Sequence, residues 1–281
     1  MSELSGRTFL VTGANTGIGL ATATALAARG GRVHIAARSA DKGNAAVARV
    51  RAATGSDAVR FLQLDLADLA AVRASAAAFL ALDEPLHVLI NNAGVAGRRG
   101  LTRDGFELMF GVNHLGHFAF TAALLPRLTD SAAGGGARIV NVASDAHYAA
   151  KGIDFDRLRQ PSRAITGMPE YAVSKLCNVL FCQELARRLE GSAVTSYALH
   201  PGVVASDMWR RVPWPIRPFV TRRMLTTEQG AQTSLYCATD AALAGQSGRY
   251  YEKCAERAPS PVATPELGRR LWERSEEWAA S

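Results

Sequence analysis

Short apolar runs alternate with helix-length amphipathic stretches along almost the whole chain. That alternation restricts the fold more than any other feature of the sequence. Candidate strands lie at 7–12, 32–37, 59–63, 87–91, 137–142 and 193–200, with a short last one near 248–251. Helical patterns lie between them, near 17–29, 40–53, 68–81, 104–128, 170–190 and 226–239. Strands joined by connections of that length pair in parallel through right-handed crossovers. Val88-Leu89-Ile90 is apolar on both faces, as in a sheet covered on both sides. The pattern predicts an α/β fold, a doubly wound parallel sheet of about seven strands with helices on both faces.

With 281 residues, 48% of them hydrophobic and 20% charged, the chain can bury a sizeable core in one domain spanning 1–281. Two segments depart from the rhythm. Gly134-Gly135-Gly136 is a loop before the fifth strand. Residues 203–225 carry Pro213, Pro215 and Pro218 with Trp209 and Trp214, and show no period. Proline blocks a regular helix there, so the segment is either a substrate lid or a structured surface loop. Thr264-Pro265 then opens a C-terminal helix over 264–280, with Leu267, Leu271 and Trp278 on one pattern.

The formal charge of +7 comes from scattered arginines in pairs such as Arg98-Arg99 and Arg222-Arg223. Without a basic run or interleaved aromatics, surface charge and a few phosphate contacts account for it, and nucleic acid is not an expected partner. Cys177, Cys182, Cys237 and Cys254 have neither C-x-x-C nor metal-ligand spacing, so buried free thiols and no metal are expected. The start lacks a signal-peptide pattern and the apolar runs look too short for a membrane span. A cytoplasmic protein without a membrane anchor is the expectation.

The first strand runs into Thr12-Gly13-Ala14-Asn15-Thr16-Gly17-Ile18-Gly19 and then a helix. The glycines allow a tight turn and close approach of a pyrophosphate, and the helix start offers N–H groups and a positive dipole end. The spacing is G-x-x-x-G-x-G, and the glycines alone could be packing residues. Their place after the first strand of a Rossmann-type pattern points to a dinucleotide. At the end of the second strand stands Ala36-Ala37-Arg38-Ser39, with no acid to hold a ribose 2′-hydroxyl. Arg38 can pair with a 2′-phosphate, which predicts NADP (NADPH) ahead of NAD; otherwise Arg38 stacks on adenine or points to solvent.

Tyr171 and Lys175 lie four apart at the start of a helical pattern, so phenol and ammonium share a face. A nearby cation would bring the phenol toward working pH. Ser144, Asn113 and Asn91-Asn92-Ala93-Gly94 fall at strand ends or in the helix beyond, where an open α/β sheet keeps its ligands. Taken together, residues 12–19, Asp65-Leu66, Asn91 to Gly94, Asn113, Ser144, Tyr171-x-x-x-Lys175 and His200-Pro201-Gly202 resemble the short-chain dehydrogenase/reductase family over nearly the whole chain. Asn113-His114-Leu115-Gly116-His117-Phe118, Ala37-Arg38 and Leu271-Trp272-Glu273 resemble its retinol-dehydrogenase-like branch, whose relatives favour NADP.

The resemblance implies roles. Tyr171 would be the acid/base, Ser144 would orient the substrate oxygen, and Lys175 would bind the nicotinamide ribose and lower the Tyr171 phenol. Asn113 would hold a relay water, and Asp65 with Leu66 would sit at the adenine. Asn92, Ala93 and Gly94 would line the cofactor's path, with Pro201, Gly202, Val203 and Val204 at the carboxamide. The substrate would be a small hydrophobic alcohol, aldehyde or ketone, and the chain a homodimer or homotetramer through the Tyr171 helix and its neighbour. A carbon–carbon double-bond reductase and a catalytically silent NADP sensor are the alternatives. His147 either touches substrate or sits on the rim. His114, His117, Tyr197, His200, Cys177 and Cys182 read as packing residues.

Overall fold

The computed structural model describes residues 2–204 and 224–280. Apart from 203, 204, 224 and 225, the expected lid lies outside the described residues. Among the described residues eight strands form one sheet: β1 (Thr8–Thr12), β2 (Arg32–Ala37), β3 (Val59–Gln63), β4 (Val88–Asn91), β5 (Ala137–Val142), β6 (Val194–His200), β7 (Arg249–Glu252) and β8 (Ala255–Arg257). Their order is β3-β2-β1-β4-β5-β6-β7-β8. The seven expected strands are parallel and sit within a residue of the predicted places. β8 is an addition, antiparallel to β7 across a two-residue turn.

Alternation along the central strands sorts side chains into two cores, as a pleat with period two requires. Leu10, Leu89 and Ile139 face one side, under α3 (Leu69–Leu80), α4 (Leu108–Phe110), α5 (Gly116–Ser131) and α6 (Met168–Arg188). Phe9, Val11, Val88, Ile90 and Val140 face the other, under α1 (Gly17–Ala28), α2 (Ala40–Thr54) and α7 (Thr227–Thr239). Most helices start on a cap. Asp68 accepts from the Ala70 and Ala71 amides at 3.0 and 3.1 Å, and Thr226 with Gln229 forms a reciprocal capping box on α7.

The continuous helical run Leu108–Gly134 is, by length and composition, apolar enough to cross a membrane. The sequence reading of no such run is corrected here. Most of it is buried against the sheet, α3 and α6, so core packing accounts for its apolarity.

The last helix, α8 (Pro265–Ala280), lies across α6 and touches α5. Trp272 packs 4.9 Å from Phe118 and 5.8 Å from Phe181, and Trp278 lies 5.3 Å from Phe106 (ring centroids). The helix pair expected to join subunits therefore carries a layer of this chain's own aromatics on that side.

Candidate active site

The carboxyl ends of β1, β4, β5 and β6 share one edge of the sheet, and the strand order reverses between β1 and β4. A crevice at such a reversal is where open α/β sheets bind ligands. Gly13 leaves β1 at φ +66, and a Cβ there would stand 2.8 Å from Ala93 Cα. A Cβ on Gly19 would stand 2.5 Å from Asn92 Nδ2. The glycine loop thus lies directly on the 92–94 turn, which no side chain at either position would permit. Asn92 ties the two together by donating from Nδ2 to the Thr12 carbonyl at 2.7 Å.

The α1 start differs from the capped helices. Thr16 makes no side-chain cap and the first turn holds no acid. A helix N-terminus without such groups keeps its positive end for an external anion. Ile18 and Val204 both lie against Gly230 of α7, where a Cβ would meet their side chains at 3.2 and 2.5 Å. The loop after β1 and the residues after β6 therefore both pack on α7 at Gly230. Val203 beside them is half exposed, and Gly202 turns at φ +86 after Pro201. Arg38 is exposed at the end of β2. Asp65 accepts from the Ala67 amide at 3.0 Å, and Leu66 is buried after β3. These last three sit toward the far end of the crevice.

Tyr171 and Lys175 project from the first two turns of α6, and both are buried. Lys175 donates from Nζ to the Val142 carbonyl at 2.8 Å, its one acceptor among the described residues, which leaves two of its three N–H bonds for a ligand. Its ammonium is 5.7 Å from the Tyr171 ring centroid, and a Cβ on Gly94 would lie 3.5 Å from Nζ. Burial lowers the Lys175 ammonium to about 8. The uncapped helix start and the two spare donors fit a dinucleotide's phosphates and ribose.

Burial raises the Tyr171 phenol, the Ser144 hydroxyl within its hydrogen-bonding reach lowers it, and Asp145 raises it further.

Ser144 begins a short 3-10 turn, Asp145–Ala149. Its hydroxyl accepts from the Ala146 amide at 3.2 Å and donates to Asp145 Oδ1 at 3.0 Å. His147 is buried and not at the rim. Its Nδ1 donates to the Ser144 carbonyl at 2.6 Å and its Nε2 accepts from the Ser260 amide at 3.1 Å. It holds Ser144 in place from behind.

Asn113 lies in a π-helical turn, Gly111–Leu115. Its side chain is taken up by the Val95 amide (2.8 Å), the Val95 carbonyl (2.9 Å) and Ser174 Oγ (3.0 Å). The expected relay water would have to use its backbone carbonyl. That carbonyl accepts from His117 Nδ1 at 3.0 Å, which makes Nε2 the acceptor for the Thr12 hydroxyl at 2.9 Å. Burial lowers His117 to about 4, so the ring stays neutral. Thr12 also accepts from the Asn92 and Ala93 amides, both at 2.9 Å. This Thr12–His117–Asn113 link between the glycine loop and the Tyr171 side was not read from the sequence. The residues are 105 positions apart, and helical spacing shows only that His117 is inward.

Cys177, Cys182 and Cys237 are buried thiols, and Cys254 is exposed, which corrects the expectation of four buried ones. Cys177 and Cys182 are pushed up, Cys182 to about 12, and stay neutral. Among the described residues no His, Cys, Asp or Glu group could hold a metal.

Comparisons with known proteins agree with this geometry. The short chain dehydrogenase family matches residues 7–154. Human retinol dehydrogenase 12 is 46% identical over 278 residues, covering 96% of this chain and 85% of the relative. A crystal structure of an uncharacterised protein from Mycobacterium paratuberculosis aligns over 100% of this chain and 96% of its own, with TM-score 0.80 and 33% identity. The Pseudomonas aeruginosa RhlG/NADP active-site complex aligns over 93% of this chain and 98% of its own, with TM-score 0.73 and 26% identity. The chain belongs to the short-chain dehydrogenase/reductase family, in its retinol-dehydrogenase-like branch, and is an NAD(P)-dependent dehydrogenase/reductase of alcohol and carbonyl groups.

Proposed function

We propose that the enzyme uses NADP(H) to interconvert a hydrophobic alcohol with its aldehyde or ketone, with Tyr171 as the acid/base. The supporting observation is the buried group at the sheet edge: Tyr171 beside Ser144, and Lys175 with two uncommitted donors. Bound NADPH supplies the hydride for the carbonyl carbon. In reduction, Tyr171 gives its phenolic proton to the substrate oxygen, and Ser144 donates a hydrogen bond to the same oxygen. Lys175 directs its spare N–H groups to the nicotinamide ribose. The Asn113 carbonyl, held by His117, keeps a lone pair for a water that returns a proton to the site. Val203 and Val204 border the carboxamide, and Asp65 and Leu66 the adenine.

NADP over NAD rests on Arg38, exposed at the end of β2 with no acid in Ala36-Ala37-Arg38-Ser39, and on the NADP named for the solved relative. The hydrophobic substrate rests on the aromatics of 203–225 and on the similarity to a retinol dehydrogenase. A cytoplasmic site of action, with Leu108–Gly134 as a core helix, completes the reading.

Fluorescence titration with NADPH and NADH tests it. The native chain should favour NADPH, and Arg38→Ala should lose about tenfold or more of that affinity. Tyr171→Phe should bind NADPH as before and lose roughly 10²–10⁴ in turnover of a carbonyl panel. Equal binding of both cofactors, unchanged in Arg38→Ala, rejects the NADP preference; full turnover in Tyr171→Phe rejects the acid/base.

A further inference from the structure

Next to Ser144 stands a carboxylate that none of the roles above uses. Asp145 is about half exposed, with one oxygen on the Ser144 hydroxyl at 3.0 Å and the other 3.7 Å from His200 Nε2. A hydroxyl has a single proton to donate. The Ala146 amide points at the Ser144 oxygen and the hydroxyl proton points at Asp145, so the lowering that Ser144 exerts on Tyr171 requires that proton to turn away from the carboxylate. Ser144 cannot then donate to a substrate oxygen, nor to a Tyr171 phenolate, without first leaving Asp145.

We propose that Asp145 is a positioning residue that holds the Ser144 proton until a substrate oxygen takes it over, and that keeps Tyr171 in its proton-donating form. The inference rests on Tyr171 as the acid/base. Two effects act in the same direction. The carboxylate's charge opposes a second negative charge on the phenol, and its hydrogen bond withdraws the donor that would stabilise a phenolate. Reduction needs the phenol protonated, so both effects favour the carbonyl-reducing form of the enzyme.

Other charges surround this pair. His147 and Tyr148 lie on the same 3-10 turn, and Lys175 on α6. His200 is on β6, Tyr250 and Glu252 on β7, and Arg257 on β8. His117 on α5 faces Lys175. His147 and His200 are held neutral by burial first, so neither cancels the carboxylate at neutral pH. Arg257 is committed to Glu252.

The test is the ionisation of Tyr171 itself. Ultraviolet phenolate absorbance is followed against pH for the full chain, and the Tyr171→Phe trace is subtracted in each background. In Asp145→Asn the midpoint should fall by on the order of half a pH unit or more, since the charge is gone and an acceptor remains. In Asp145→Ala, which loses both, it should fall at least as far. The pH at which kcat/KM for carbonyl reduction declines should move with it, and KM should fall more than kcat changes. A carboxylate that merely steadies the start of the turn would lower the melting temperature and leave the phenol midpoint in place. A midpoint unmoved or raised in both variants overturns the proposal. Because the titration needs no turnover, that result is distinct from failure of the acid/base reading, which Tyr171→Phe activity decides.

Discussion

At position 175 the fold buries an ammonium, and burial disfavours its charged form. The unfolded lysine titrates near 10.5 and the folded one near 8, so the native state binds fewer protons between those values. The penalty is full below pH 8 and fades as pH rises toward 10.5. Lys175→Met should therefore melt higher at pH 7, by on the order of 1–3 kcal/mol, less what the Val142 carbonyl loses with its donor. The gain should shrink by pH 10, and turnover should disappear. Thermal melts at both pH values check it; equal or lower melting at pH 7 contradicts it. That Tyr171, Ser144 and Lys175 gather at one sheet edge was legible in the sequence because their spacing matches a family pattern. What Ser144 does with its proton was not, because that depends on the orientation of a neighbouring carboxylate. The Thr12–His117 bond was hidden for a similar reason: a tautomer leaves no mark in helical periodicity.

At the level of elements, the places of the seven parallel strands were readable because each is a nearly continuous apolar run between helix-length connectors. β8 was not, being three exposed polar or small residues, Ala255-Glu256-Arg257, after a turn with no glycine or asparagine. Lys253 and Cys254 occupy that turn at φ 52 and 58, the left-handed region that two-residue hairpins require and that ordinary side chains resist. Replacing them together, Lys253→Asn with Cys254→Gly, should stabilise the protein by about 1 kcal/mol. Chemical denaturation would register this as a higher midpoint at unchanged slope. A lower midpoint would mean that the pair makes contacts worth more than the strain.

For the whole molecule, all six histidines are shifted the same way. His34, His87, His114, His117, His147 and His200 are each held below the ordinary value, with burial the largest cause. Unfolding lets them take up protons near pH 6.5, which the folded chain refuses. Their contribution is complete above 6.5 and is lost as pH falls toward about 4 for His117 and about 3 for His114. Each of those two should remove about 1.4 kcal/mol per pH unit in that window. Urea midpoints measured from pH 7 to 4 should fall steeply, and His114→Leu should flatten the slope; a level profile would exclude the idea. The aromatic layer under α8 has a different consequence. The strand-to-helix connection at 258–264 crosses the surface with Ala258, Pro261 and Thr264 exposed. A protease cutting there would unfasten the helix that carries Trp272 and Trp278. One cleavage would both loosen the support of Tyr171 and turn an enclosed layer of rings into an adhesive face.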